Sequence, residues 1–223
     1  MIKILENIVS TKDISKIKKL LKQGHFTPGK DTAGWAAKSV KTNDQWHADS
    51  EYSDEVFSIL SQALLSHPHF SAFTYAKDIA PFLISQSQKG NGYGSHVDDA
   101  LMGHQHIMRS DLSCTIFLDS PDNYTGGELT IDMGTTTLKY KLPIGSAIIY
   151  PSTYLHRVEP VTEGSRLVAV TWLESYVRNA EQREILSDLD EARREVMKSQ
   201  GKTTAFDKIS KTHSNLLRLW SNT

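Results

Sequence analysis

Cysteine is all but absent from this chain. Cys114 is the one thiol in 223 residues, which excludes an internal disulfide and any cysteine-built zinc cluster. It lies in an apolar run, where a thiol behaves as a small buried hydrophobe. No window approaches the ~18 consecutive apolar residues of a membrane-spanning helix. The start, Met1-Ile-Lys-Ile-Leu-Glu6, meets charge too soon for the apolar stretch of a signal peptide. Neither sign of charge dominates: 25 basic residues stand against 26 acidic ones, for a net charge of −1. Such a balance offers no field for nucleic acid or an anionic membrane surface. The expectation is a cytoplasmic protein with neither kind of partner. Internal repeats, low-complexity segments, a P-loop and a nucleophile elbow are missing too. Gly90-Asn-Gly-Tyr-Gly94 has the glycines of a phosphate loop, but no helix pattern follows it.

What is present reads as helices flanking a run of short strands. Ile14, Ile17, Leu20 and Leu21 recur at helical spacing behind a cap at Ser10 or Thr11. A second helix is expected over 53–66, capped at Ser53 or Asp54, with Val56, Phe57, Leu60 and Leu64 buried and Pro68 closing it. Between the two, 26–51 reads as a long loop or short strands holding Trp35 and Trp46. They either tack it to the core or line a substrate mouth. From Phe70 to Trp172 short apolar or alternating runs are punctuated by Gly, Pro and Asn. Strands are expected near 80–87, 93–98, 113–119, 127–132, 136–142, 146–150, 155–160 and 165–173. That spacing suggests a barrel or jelly roll rather than βαβ units. Residues 175–200 return to helix, and a last helix carries Ile209, His213, Leu216, Leu217 and Trp220 on one side. These helices pack on the barrel or supply a homodimer contact. The class is mainly β with flanking helices (α+β).

The chemistry concentrates in two segments. His96 and Asp98 are two residues apart, so on a strand both side chains face the same way. His156 follows 58 positions later and Arg166 ten after that. Two His and one carboxylate on one side of a metal form the facial triad of non-haem Fe(II) oxygenases. An Arg nearby suits a carboxylate co-substrate. His47-Ala-Asp49 has the same spacing but lies in polar surroundings without strand alternation, and reads as a surface coincidence. Arg166, Val168, Val170 and Trp172 share one strand face. A lone Arg there needs an anion, either a protein carboxylate or a ligand's. His67, His69, His104 and His106 read as exposed loop residues, and Asp99 as a surface group on the face opposite Asp98. Two alternatives remain open on residues alone: a zinc or manganese enzyme on a cupin-like barrel, and a non-catalytic binding module.

Taken together, Tyr93-Gly-Ser-His-Val-Asp98, Asp111-Leu-Ser-Cys-Thr-Ile-Phe-Leu-Asp119, Tyr124-Thr-Gly-Gly-Glu-Leu129, Tyr150-Pro-Ser152, Leu155-His-Arg-Val-Glu-Pro-Val-Thr162 and Gly164-Ser-Arg166 resemble the bacterial PKHD-type hydroxylases. These are Fe(II)/2-oxoglutarate oxygenases related to prolyl 4-hydroxylases. The resemblance extends over nearly the whole chain. It implies a double-stranded β-helix (jelly-roll) catalytic domain at 77–175, with a helical and loop region at 1–76 and a helical extension at 176–223. It implies His96, Asp98 and His156 as iron ligands and Arg166 as the anchor of 2-oxoglutarate, with O2 as oxidant and L-ascorbate as an associated reductant. Animal relatives acting on hypoxia factors place a Tyr beside the co-substrate where this chain has Phe117. That leaves Ser113 and Thr115 as candidates for a second co-substrate contact. The expected activity is hydroxylation of an unidentified protein side chain or small metabolite, releasing succinate and CO2.

Overall fold

Alternation along the central strands decides which side chain faces which of three layers. The computed structural model describes residues 1–32, 37–103 and 106–222; Trp35 and His104 lie outside them. In chain order β1 (Lys3–Leu5), α1 (Thr11–Leu20), β2 (His25–Pro28), β3 (Asp44–His47), α2 (Ser50–Ser66) and α3 (Pro68–Thr74) come first. The strands β4 (Ala76–Ile79), β5 (Leu83–Gln88), β6 (Tyr93–His96), β7 (Leu101–Met102), β8 (Met108–Arg109), β9 (Leu112–Phe117) and β10 (Tyr124–Gly126) follow. Then come β11 (Leu129–Asp132), β12 (Thr137–Tyr140), β13 (Ala147–Pro151), β14 (His156–Val158) and β15 (Val161–Ser175), and last α4 (Ala180–Gln200) and α5 (Thr204–Trp220).

The large sheet runs β1-β13-β9-β15-β5-β3-β2, and β4 and β10 also pair with the long β15. A smaller sheet runs β12-β11-β14-β6, and β7 pairs with β8. Every pairing is antiparallel. Cys114 and Ile116 on β9, Ala147 and Ile149 on β13, and Leu167, Ala169 and Leu173 on β15 join Ile14, Ile17, Val56, Leu60 and Leu64 of the N-terminal helices in one core. The intervening residues Phe117, Ile148, Tyr150 and Val168 meet Leu129 and Ile131 of the smaller sheet in a second core. The result is helices on a sheet on a sheet, the layered arrangement that buries both faces of the middle sheet. It is the jelly-roll core with flanking helices that the strand spacing indicated. Cys114 is fully buried, and burial pushes its thiol up to about 12.

Several boundaries differ from the sequence reading. The second helix starts at Ser50 with Asp49 at its cap position, not at Ser53. α2 ends at Ser66, where the sequence placed its close, and Pro68 also has a second role. It opens α3 at a first-turn position where its missing N–H costs nothing. The segment 26–51 contributes β2 and β3 to the large sheet, and Trp46 anchors it, packing in the core with its indole N–H on Leu21 O at 2.9 Å. Residues 124–126, outside every expected strand, form a strand against β15 with a register shift after Thr125. At the C-terminus α4 packs on α3 and α5. His213, 5 % exposed, meets the Tyr75 hydroxyl at 2.8 Å, and Asn222 N–H donates to Tyr176 O at 2.8 Å.

Candidate metal centre

β14 pairs with β6 so that His156 lies directly opposite His96. Asp98 stands just past the end of β6 rather than within it, yet its carboxylate still turns toward both rings. His96 Nε2 is 4.0 Å from Asp98 Oδ1, and His156 Nε2 is 3.8 Å from Asp98 Oδ2. One donor atom from each residue lies within 4.8 Å of the others, the one such His/Cys/Asp/Glu group among the described residues. The side chains of His96, Asp98 and His156 are 10 %, 8 % and 6 % exposed.

Neighbouring groups fix how these donors point. His96 Nδ1–H donates to Gly94 O at 2.8 Å and His156 Nδ1–H to Tyr154 O at 3.1 Å. Each bond leaves the Nε2 lone pair aimed at the shared centre, the usual way a protein orients imidazole toward a metal. The Ser113 hydroxyl donates to Asp98 Oδ2 at 2.5 Å and also meets Ser152 Oγ at 2.8 Å. Tyr93 stacks on the His96 ring at 3.6 Å, and Tyr150 sits edge-on to His156 at 5.2 Å. Burial, with His156 adding to it, brings the His96 imidazole down to about 4. The His96 nitrogen needed for coordination is therefore unprotonated near neutrality, and a buried carboxylate beside two imidazoles suits a divalent cation.

The same residues line a cavity of about 810 Å3. Arg166, Val168, Val170 and Trp172 of β15 form one wall of it, as their shared parity predicted. Arg166 is 3 % exposed, and its Nε has no hydrogen-bond partner. Burial lowers its pKa, and the groups that offset this most are the Tyr124 and Tyr150 phenols. The Tyr124 hydroxyl is itself buried without a well-formed hydrogen bond. Among the described residues no carboxylate forms an ion pair with the guanidinium, so the structural salt bridge weighed for it is not there. Phe117 lies under it, ring centroid 5.7 Å from Cζ. Gly127, at φ +68°, clears the space alongside: a Cβ there would come within 3.0 Å of Arg166 Cδ and 3.1 Å of the Tyr124 ring.

The family model of the 2OG-Fe(II) oxygenase superfamily matches residues 82–174, which include His96, Asp98, His156 and Arg166. A PKHD-type hydroxylase of Colwellia psychrerythraea is 51 % identical over 223 residues, covering 100 % of both chains. One from Acaryochloris marina is 46 % identical over 99 % of this chain and 100 % of its own. The chain belongs to the PKHD-type hydroxylases. It is therefore an Fe(II)- and 2-oxoglutarate-dependent dioxygenase, a hydroxylase that takes O2 and releases succinate and CO2. The non-redox metalloenzyme and the binding module are set aside. Solved structures place the fold of this hydroxylase in the same company. A prolyl hydroxylase from Trichoplax adhaerens, solved with a peptide of hypoxia inducible factor, is 15 % identical, covers 83 % of this chain and 86 % of its own, and has a TM-score of 0.60. A 2OG-Fe(II) oxygenase family oxidoreductase from Burkholderia pseudomallei is 16 % identical over 78 % and 85 %, with a TM-score of 0.59.

Other candidates of the sequence fall elsewhere. Asp49 serves at the α2 cap position and His47 is exposed on β3. His67 caps α3 through Nδ1. His106 is exposed and bonded to Asp78 at 2.6 Å. Asp99 is exposed but reaches the cavity rim. The sequence reading missed Tyr93, Tyr150 and Lys41, all of which line the cavity. Tyr150 carried a signal, since it shares parity with Ile148 on a strand whose alternate residues face the smaller sheet. Lys41 carried none.

Proposed function

We propose that His96, Asp98 and His156 hold the Fe(II) of this hydroxylase and that Arg166 anchors the far carboxylate of 2-oxoglutarate. The observation that carries this reading is a buried guanidinium without a protein carboxylate, on the wall of the cavity that three converging donor atoms also face. Bound there, Fe(II) with 2-oxoglutarate and O2 supplies an oxidation in which the co-substrate becomes succinate and CO2 and one oxygen atom enters a substrate C–H bond. The chain's own residues place and exclude. The Gly94 and Tyr154 carbonyls keep the imidazole protons away from the metal, and Ser113 holds Asp98 in one orientation. Because the Ser113 hydroxyl is committed to Asp98 and Ser152, Thr115 is the better placed of the two for a second co-substrate contact; it lines the cavity and pairs with the Tyr150 phenol. Val168, Val170 and Leu129 keep the wall between them apolar and dry.

Two further parts of the reading rest on the family resemblance: L-ascorbate restores Fe(II) after turnovers that lose their substrate, and the catalytic unit spans 77–175. The region 1–76 adds β1, β2 and β3 to the edges of the large sheet and packs its helices on one face, and 176–223 packs on those helices, free to pair two copies in the cytoplasm. The test is anaerobic addition of Fe(II) and 2-oxoglutarate. A visible charge-transfer band is expected with the wild-type protein and none with His96→Ala. A band of full intensity in that variant removes His96 from the ligand set.

A further inference from the structure

A second pair of histidines repeats the layout of the first. β2 pairs with β3 so that His25 lies directly opposite His47, as β14 sets His156 opposite His96. Asp49 follows His47 by two residues and stands just past the end of β3, as Asp98 stands past the end of β6. The spacing of His47-Ala-Asp49, which by itself reads as a surface coincidence, thus acquires a cross-strand imidazole in the fold.

Strand alternation puts both rings on one face. Phe26 and Trp46, the adjacent register pair, pack toward the helices. His25 and His47 therefore face the other way, and both are exposed. Two features hold the strands that carry them. The Trp46 indole N–H donates to Leu21 O at 2.9 Å, and a Cβ on Gly24 would collide with His47 O and the Trp46 indole, so glycine permits the close approach of β2 to β3. The ring centroids lie 6.2 Å apart, tilted by 35°. Two imidazoles sharing an ion at the ~2.0–2.1 Å of a Zn–N bond have centroids roughly 5–6 Å apart. A small rotation of two exposed side chains closes that chelate.

Asp49 offers the third donor. It occupies the cap position of α2, yet its side chain makes no capping hydrogen bond. Its carbonyl accepts from the Tyr52 and Ser53 N–H groups at 3.1 Å each. The backbone at Asp49 is thus held while the carboxylate, exposed beside His47, is not spent on the helix. The two triads differ in preorganisation. Donor atoms of the first already lie within 4.8 Å of one another, and no other such group exists among the described residues. The second assembles only as an ion draws its exposed side chains together.

We propose that His25, His47 and Asp49 form a second, surface site for a borderline divalent cation: Zn(II), Ni(II) or Cu(II). Two imidazoles and a carboxylate suit that class, and affinity for such a donor set is higher for these ions than for Fe(II). None of the three residues lines the cavity, so an ion held there takes no part in the oxidation. It staples β2, the outermost strand on that side of the large sheet, to β3, whose Gln45 lines the cavity wall.

The test is calorimetric titration of the full, untagged chain with Zn(II) at saturating 2-oxoglutarate, for wild type, His96→Ala, His25→Asn, His47→Asn and Asp49→Asn. Wild type should bind two equivalents. His25→Asn and His47→Asn should each lose one of them, because a chelate fails with either half, and His96→Ala should keep that same equivalent. Asp49→Asn should weaken it by at least the roughly tenfold that losing a mere supporting group costs. Both histidines are exposed, so no core packing is at risk, and circular dichroism checks the fold of each variant. With Cu(II), the electron paramagnetic resonance spectrum of His96→Ala should show coupling to two imidazole nitrogens, and that of His96→Ala with His47→Asn should not. An equivalent lost in both His25→Asn and His47→Asn but kept in His96→Ala establishes the site whatever happens at the first centre. The proposal is overturned if no equivalent behaves so, or if Cu(II) couples to one ring alone. Unchanged affinity in Asp49→Asn overturns the three-donor site.

Discussion

Replacing Arg166 by methionine should have opposite effects on binding and on stability. The side chain is 3 % exposed, its Nε lacks a partner, and burial works against its charge. Its chief polar neighbours are phenols, which offer far less to a cation than a carboxylate does. On the proposed assignment, 2-oxoglutarate gives the guanidinium a charge-assisted partner. Removing one side of such a buried pair costs about 2–5 kcal/mol, or roughly 30- to 5,000-fold in Kd. Free of metal and co-substrate, the wild-type protein must bury a cation without an opposing carboxylate. Methionine fills much the same volume without that penalty, and exchanges of this kind are often stabilising by about 1–4 kcal/mol. A gain of about 1 kcal/mol raises Tm by roughly 2–4 °C in a chain this long. Thermal scans of both proteins with and without 2-oxoglutarate and Mn(II) measure the two effects together. Wild type should gain stability with co-substrate, and Arg166→Met should start higher and gain almost nothing. Unchanged co-substrate affinity would remove Arg166 from the site. A ligand-free variant destabilised by more than about 1 kcal/mol would show that the protein itself, not the co-substrate, is the partner of this guanidinium.

Four other outcomes follow from the same geometry. Ser113→Ala should weaken Mn(II) binding by roughly 10- to 100-fold, the usual effect of losing a group that holds a ligand, because Asp98 then loses its 2.5 Å bond; a metal titration reads it. Asp98→Asn should abolish the charge-transfer band outright while the fold, read by circular dichroism, persists. Gly127→Ala should destabilise the protein by at least ~1 kcal/mol, from a left-handed backbone at φ +68° and a Cβ within 3.0 Å of Arg166 Cδ, and should weaken 2-oxoglutarate binding with it. His213 is held neutral, its pKa lowered first by burial and then by Arg193. Its contribution is therefore present above the unfolded value of ~6.5 and lost as pH falls through and below it. Hydrogen exchange in α5 should accelerate over that window, and Tyr75→Phe should flatten the dependence.

Much of this was legible because jelly-roll strands write their two faces in alternate residues. The sharp parity of Arg166, Val168, Val170 and Trp172 gave the cavity wall directly, and the structure keeps all four on it. His96 and Asp98 were readable from spacing, although Asp98 lies just beyond the strand end; an extended backbone preserves the relation whether or not it is hydrogen-bonded into a sheet. What stayed hidden was set by long-range pairing. Short strands were one of two readings of 26–51, and nothing local chose them or placed β2 and β3 within it. Gln45 of β3 faces the cavity, and neither strand shows the apolar alternation of a half-buried strand. Lys41 reaches the cavity through a bridge to Tyr93, 52 positions away in the chain. Pro68 marked the end of α2, but a proline is also a first-turn residue, and the α3 that it opens, which was not read, is fixed by packing on α2 and α4.

The separation of faces on β15 also explains how this fold keeps its stability apart from its chemistry. Leu167, Ala169 and Leu173 point to the helices and are almost fully buried in one core. Arg166, Val170 and Trp172 point the other way, into the cavity, and Trp172 Nε1 and Arg166 Nε are both buried without partners. Unpaired buried polar atoms cost stability, and the core on the opposite face is what tolerates them. A substitution at an odd position, Leu167→Ala or Leu173→Ala, removes core packing and should act mainly on Tm, by about 2–5 kcal/mol at a fully buried site. One at Val170 or Trp172 should act mainly on ligand affinity and little on Tm, whereas Val168 also belongs to the second core and Arg166 carries the burial cost described above. A scan of both sets that found the two effects mixed along the strand, rather than alternating with residue parity, would mean that the two faces of β15 are not energetically separate.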